Sequence, residues 1–472
     1  MKHTFPWLAA LALLGAALTA SAGLPPPVRQ ALHEAGIPED AVSVFVQRVD
    51  HDTPLIAHQA DQALNPASTM KLVTTYAGLE LLGPAYTWHT DLVTTGTIEG
   101  GTLKGDLILK GYGDPAMTLE NFWDLVRALR QSGIREIDGN LVLDRSYFEA
   151  QSPDPAAFDD EPYRAYNAGP DAMLVNFKAT RFNFRGDAAT GRVIIEADPA
   201  LPQLGIDNHL SLGRAPCNGW KDHLGYQVAH NGSGVNVSFG GSYSIACGEK
   251  SLDLSLFDDT VYVFELFRQL WREQGGSFNG HLELARAPDN ARLLVRATSP
   301  PLADVIRLIN KYSNNVMARQ LLLTIGAEKT ALPGSIENGA QAIRTWLAAK
   351  HLDFPELVIT NGAGLSREAR ISPRHLGALL LTAWASPVMP ELVSSLPVIA
   401  VDGTMEHRMK TSSVAGRGHF KTGSLDGTRA MAGYLLDAKN RRWVVVFMIN
   451  HPRAAASRAA QDALLEWLYN RD

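Results

Sequence analysis

The chain has 472 residues, a formal net charge of −6, 46% hydrophobic residues and 19% charged ones. That length exceeds one ordinary core, so two or three domains are expected. No long run carries a single sign of charge, which excludes an acidic tail and argues against nucleic acid as a partner, because phosphate binding needs clustered Lys and Arg.

The chain opens with a basic start, Met1-Lys2-His3, an apolar run over residues 8–18 and a small-residue cleavage site, Ala20-Ser21-Ala22. Residues 1–22 are expected to be a signal peptide, with Gly23 as the mature start and a periplasmic product. The apolar run is shorter than the roughly 20 residues that span a bilayer. No Cys follows the cleavage site, so membrane association is expected to be peripheral at most.

Residues 41–49 alternate apolar and polar, the pattern of a half-buried strand. A helix is expected from Asn65-Pro66, a good N-cap followed by a first-turn proline, to Gly83-Pro84. From about Trp88 short β-like runs lie between glycines, at 102–109, 141–143 and 192–196, with helices at 121–132 and 263–274. Beyond Ala297 the pattern turns helical, with one helix behind Ser299-Pro300-Pro301 to Ile309 and another over 315–325. Strongly apolar strands at 430–437 and 442–450 and a helix over 454–468 end the chain.

Strand and helix at the start, with strands and helix at the end, can close one sheet. The expected class is therefore α/β (α+β), a catalytic domain split in sequence by a β-rich insertion. Its halves are expected at 23–94 and 297–472. One inserted domain is expected at 95–172 with a return at 263–296, and a second at 173–262.

Three short motifs carry chemistry. Ser68-Thr69-Met70-Lys71 places a hydroxyl and an amine three apart on one helix face, near free N–H groups that favour negative charge. A desolvated Lys there can act as a base. Lys421-Thr422-Gly423, followed by Ser424, precedes an apolar strand, where Lys and Thr can bind a carboxylate and Gly admits a ligand backbone. Ser313-Asn314-Asn315 lies in a loop between two helices. Each motif alone is weak. A Ser-x-x-Lys is usually a helix surface, and Ser277-Phe278-Asn279 repeats the third pattern inside a turn. Together and in this order they form the signature set of penicillin-binding proteins and class A β-lactamases.

At this point the chain resembles the class C low-molecular-mass penicillin-binding proteins, the D-alanyl-D-alanine carboxypeptidase/endopeptidase family. Further blocks carry the likeness: Lys110 to Pro115, Asn361 to Ser366, and Asp402-Gly403-Thr404. It spans essentially the whole mature chain. The sequence departs at Asn361 and Ala363, where some relatives carry Asp and Ser, and at Tyr112, where Gly is expected; none of these is expected to alter catalysis.

The resemblance implies a penicillin-recognising serine transpeptidase/β-lactamase-like fold and an acyl-enzyme on Ser68, with Lys71 as base and Ser313 as proton relay. It implies substrate contacts from Asn315, Lys421, Thr422, Gly423 and Ser424. Asp160, in an acidic turn of the insertion, is expected to meet an amine-bearing substrate side chain, with a solvated turn as the alternative. The implied partners are peptidoglycan peptides and β-lactam antibiotics. The oligomeric state stays open, a dimer being one option. Two other functions compete: a β-lactamase-like hydrolase, and a non-enzymatic penicillin sensor or scaffold.

Cys217 and Cys247 are the two cysteines, and an oxidising compartment favours their pairing over two separate buried thiols. No metal or other cofactor is expected, since two Cys and 14 His without His-Glu-x-x-His spacing form no ligand set. Trp123, Trp220 and Trp271 read as packing residues rather than a sugar platform.

Overall fold

The computed structural model describes residues 23–150, 154–232 and 234–471; the signal peptide expected over 1–22 lies outside the described residues. Five strands form the central sheet: β1 (Val42–Arg48), β2 (Ile56–His58), β3 (Gly418–Leu425), β4 (Thr428–Leu436) and β5 (Arg442–Asn450), in the order β3-β4-β5-β1-β2. Every pairing is antiparallel, and the first strand closes on the last through Val44 opposite Phe447. The helices that pack on this sheet or carry the site are α1 (Pro26–Ala35), α2 (Lys71–Leu82), α3 (Leu302–Lys311), α4 (Asn315–Lys329), α5 (Ile336–Ala349), α6 (Pro373–Trp384) and α7 (Arg458–Tyr469).

Side chains alternate across a strand, and here both faces find a helical layer. Phe45, Ala432, Tyr434, Val444 and Val446 pack with α2 to α6 in one core. Val44, Val46, Phe420, Val445 and Phe447 pack with Val28 and Leu32 of α1 and Leu464, Leu465 and Leu468 of α7 in another. This corrects the half-buried reading of residues 41–49. The first six residues of β1 are all buried, because α1 and α7 cover the face expected to meet water. Its polar positions are satisfied inside: Ser43 Oγ donates to Gln62 Oε1 at 3.3 Å and Gln47 Nε2 to the His51 carbonyl at 2.6 Å.

Between the two halves lies a region with its own core, formed by buried residues between Leu92 and Phe278. His89–Thr94 pairs with Leu107–Gly111 on one side and Arg292–Thr298 on the other, inside a second five-stranded sheet. The strand at 89–94 thus hydrogen-bonds into the inserted region rather than the central sheet. Two three-stranded sheets follow, one of Arg192–Asp198, Thr180–Asp187 and Glu249–Leu254, the other of Leu204–Gly213, Gly234–Ser244 and Leu224–Asn231. Cys217 and Cys247 are disulfide-bonded, with Cα atoms 4.8 Å apart. Trp220 and Trp271 join ring contacts within this core, while Trp123 stays partly exposed on its helix.

The covered second face of the sheet has a measurable cost if it is hollowed. Phe447 is fully buried there. Phe447→Ala should lower unfolding free energy by about 3–5 kcal/mol, the usual range for a core Phe truncation, read as a shift of the urea midpoint at unchanged slope.

Candidate active site

The nucleophile turn is built before its helix. Asn65 Oδ1 accepts from the Ala67 N–H at 2.9 Å, and Asn450, at the end of β5, clamps Asn65 by two main-chain bonds of 2.8 and 3.1 Å. Ala67 is thereby held at φ +46°, where a non-glycine residue is uncommon. Residues Ala67–Met70 form a 3-10 turn, and the α-helix starts only at Lys71. This corrects the α-helix expected from Pro66. The change helps the motif, because residues three apart eclipse one another in a 3-10 turn, so Ser68 and Lys71 still share a face.

Lys71 is buried and makes three contacts through Nζ: Ser68 Oγ at 3.0 Å, Asn315 Oδ1 at 2.7 Å and the Ala363 carbonyl at 2.7 Å. Burial drives its amine well below the ordinary lysine range, and the charges of Lys421 and Arg319 push the same way. A neutral amine has two N–H groups and one lone pair. The amide oxygen and the carbonyl can only accept, so they take both N–H groups. The lone pair is left facing the Ser68 hydroxyl, the arrangement of a base beside its nucleophile.

Ser313 sits in the turn between α3 and α4 at φ +57°. Such a backbone costs on the order of 1–3 kcal/mol and persists where surroundings enforce it. Here Asn314 caps α4 by accepting from the Met317 N–H at 3.0 Å, which starts the helix at Asn315 and aims Asn315 at Lys71. Ser313 Oγ accepts from Lys421 Nζ at 2.8 Å. Lys421 is also buried, and burial alone lowers it to about 7.

Lys421 and Gly423 lie on one face of β3, two residues apart. A Cβ on Gly423 would stand 2.7 Å from the Pro66 carbonyl oxygen and 3.0 Å from the Ser68 nitrogen, so only glycine lets the strand lie against the nucleophile turn. Thr422 shares a 2.8 Å hydroxyl–hydroxyl bond with Thr404, and Ser424 is exposed at the strand's end. Lys71 thus joins Ser68 and Asn315, and Lys421 joins Ser313, two residues before Asn315, so the five side chains form a cluster with Thr422 to Ser424 along its edge.

Asp160 does not join that cluster. It is exposed, and among the described residues no contact links it to Ser68, Lys71, Ser313, Asn315 or Lys421. It lines a separate surface hollow with Tyr163, Lys221 and Asp222. Its neighbour Asp159 accepts from Tyr166 at 2.7 Å and from Asn167 at 2.8 Å. Tyr166 lines a cleft of about 720 Å³ that also receives Ser313, Asn314 and Asn315.

A family model, the D-Ala-D-Ala carboxypeptidase 3 (S13) family, matches residues 27–471. The chain belongs to this family. It is 25% identical over 417 residues to "D-alanyl-D-alanine carboxypeptidase DacB" of Haemophilus influenzae, covering 88% of this chain and 86% of that one. It is 27% identical over 439 residues to "D-alanyl-D-alanine carboxypeptidase" of an Actinomadura species, covering 90% and 81%. The crystal structure of penicillin binding protein 4 (dacB) from Haemophilus influenzae superposes with a TM-score of 0.78 at 23% identity, over 94% of this chain and 99% of that one. The same protein complexed with a β-lactam gives 0.72. The fold is that of the penicillin-recognising serine hydrolases.

Several supports of this S13 site carry no sequence motif of their own. The departure at Ala363 costs nothing visible, because Lys71 uses its carbonyl. Asn361 Oδ1 accepts from the Ala363 and Gly364 N–H groups at 3.0 and 3.2 Å, a task that needs only a carbonyl-type oxygen. Tyr112 packs between His89 and Tyr147, away from the cluster. The Asn65–Asn450 clamp and the Lys311–Asp402 ion pair, at 2.6 Å, are supports whose partners the sequence did not show. A one-residue polar contact across hundreds of residues leaves no periodicity to read. Among the described residues no group of His, Cys, Asp and Glu could hold a metal, and no helix is long and apolar enough to cross a membrane.

Gly423→Ala should leave the protein folded and slow its acylation by benzylpenicillin about 10²–10³-fold, the effect of displacing one oxyanion donor, measured by stopped-flow quenching with a thermal melt alongside.

Proposed function

We propose that the protein is a periplasmic serine D-alanyl-D-alanine carboxypeptidase and DD-endopeptidase that acts on peptidoglycan stem peptides and cross-links and is acylated by β-lactams. The observation that carries this reading is the contact of Lys71 Nζ with Ser68 Oγ at 3.0 Å beside two oxygens that can only accept. Membership of the S13 family supplies the reaction class.

In the first step Ser68 Oγ attacks the carbonyl of the D-Ala–X bond while its proton passes to Lys71. The oxyanion meets the backbone N–H groups of Ser68 and Ser424. The C–N bond then breaks, and the departing amine takes a proton through Ser313, whose hydroxyl is bonded to Lys421. Water hydrolyses the ester and frees Ser68. Asn315 has its oxygen committed to Lys71, which leaves its NH₂ group for the substrate amide. Lys421, Thr422 and the gap at Gly423 receive the substrate carboxylate and backbone. An amine-bearing substrate side chain is assigned to the acidic turn at Asp159, beside the expected Asp160, because Asp159 is the carboxylate bonded to Tyr166 of the cleft that receives Ser313 and Asn315.

Intact mass after brief exposure to benzylpenicillin should show one adduct on the wild type and none on Ser68→Ala. Wild type should also release D-alanine from a synthetic stem pentapeptide. An adduct without any D-alanine release would favour the sensor reading, and rapid loss of the adduct with drug hydrolysis would favour the β-lactamase reading.

The two lysines set opposite limbs of a pH profile. Lys71 works neutral, so acylation rises as it loses its proton, well below the ordinary lysine range. Lys421 holds a carboxylate best when charged, and burial brings its deprotonation down to about 7. Acylation by benzylpenicillin should therefore fall as pH rises past about 7 in the free enzyme. In Lys421→Arg, whose guanidinium stays charged, that alkaline fall should vanish; an unchanged alkaline limb would remove Lys421 from this role.

A further inference from the structure

Arg319 lies on α4 one turn beyond Asn315. Its Nη1 donates to the Asn167 and Ala168 carbonyls, at 3.3 and 2.9 Å, which tethers the inserted loop to the catalytic helix. Burial pushes the guanidinium down to about 10, and among the described residues no carboxylate acts to raise it. Its Nε is buried without a partner, and so is the Thr360 hydroxyl. Both residues line one cavity of about 220 Å³, whose wall includes Phe158, Leu323 and Ile336 and whose lining, among the described residues, holds one carboxylate, Asp154.

Buried polar groups are nearly always paired, and the two residues that carry these unpaired donors both line the cavity, which defines the ligand that would suit it. Guanidinium Nε and hydroxyl are both donors toward an acceptor. A cation would be repelled, and an apolar ligand would leave both donors unmade. A carboxylate suits the planar guanidinium, and the apolar wall suits a short carbon body. The cavity is too small for a stem peptide. We propose that this cavity is a binding site for a small monocarboxylate with a short apolar body, anchored on Arg319 and Thr360.

Two sources share that chemistry. One is a plain short-chain carboxylate. The other is free D-alanine, the product of the proposed reaction, whose ammonium Asp154 would meet. Occupancy has a consequence for the nucleophile that rests on Lys71 being the base. Arg319 is one of the charges that hold the Lys71 amine down, so a bound carboxylate would offset it and slow acylation at neutral pH.

The test is a titration of the mature protein with ¹³C-propionate and, separately, ¹³C-D-alanine, followed by NMR, with chloride at equal ionic strength as control. It is run on the free protein and on its benzylpenicillin adduct, in which Ser68 is blocked. Saturable propionate binding that survives in the adduct, and weakens at least tenfold in Arg319→Met and severalfold in Thr360→Val, is the expected result. Tighter binding of D-alanine, lost in Asp154→Asn, assigns the product; equal or weaker binding assigns plain carboxylates. Binding that disappears in the adduct belongs to the catalytic cleft and overturns the proposal. So does the absence of saturation, or unchanged affinity in both variants once their melting curves show them folded. Whether the adduct forms is read by mass in the same samples, so failure of the penicillin chemistry and failure of the cavity site are separate results.

Discussion

The site depends on keeping an amine dry beside a hydroxyl. Lys71 is fully buried, with oxygen acceptors around it and no carboxylate among its bonded partners. An adjacent acid would favour its charged form and oppose the proposed role as a base. Burial of an unpaired ammonium is costly, which is why burial lowers the amine well below the ordinary lysine range. The second lysine follows the same rule to a smaller degree. Lys421 is buried and bonds, among the described residues, a hydroxyl and a carbonyl, and its charge acts on Lys71.

That arrangement demands close approach from four separate parts of the chain. The sheet meets the demand by pairing its first strand with its last, which brings residues near 45 and near 447 into register. Asn450 then reaches the nucleophile turn, and β3 lies against it at Gly423. The turn between α3 and α4 is anchored from behind by Lys311, which binds both Asp402 carboxylate oxygens and the Leu396 carbonyl. Asp402 in turn accepts from the Val398 N–H at 2.8 Å. A Cβ on Gly403 would come within 2.6 Å of the Lys311 carbonyl oxygen, so glycine is what lets that loop sit on the end of α3. The strained backbones of Ala67 and Ser313 are held by these fixed neighbours rather than by local preference.

Much of this was legible in the sequence. The apolar strands near the C-terminus and the capped helices announce themselves by period, and the three motifs in order pointed to one family, to which the chain belongs. What stayed hidden has a common physical origin. The first strand reads as half-exposed because its alternation is real, yet Ser43 and Gln47 are polar groups satisfied inside the protein. The nucleophile turn reads as an α-helix because Pro and Asn are ordinary helix starters; the Asn450 clamp that winds it into a 3-10 turn lies 385 residues away. The acidic turn at 159–161 has no period, so sequence could propose Asp160 but could not tell its direction from that of Asp159.

The departures at Asn361 and Ala363 show how such a site tolerates change. Lys71 is oriented there by a main-chain carbonyl, which every residue possesses, and the loop that offers it is pinned by an amide oxygen taking two N–H groups. Where the chemistry uses backbone, the side chain is free to vary; where it uses the lack of a side chain, as at Gly423, the position is not. In this chain the motif residues Lys71, Ser313, Asn315, Lys421 and Gly423 are the ones whose side-chain atoms, or whose missing side-chain atoms, shape the cluster around Ser68. The supports behind them are set by geometry, and their identities can drift as long as an oxygen stays where the lysine needs one.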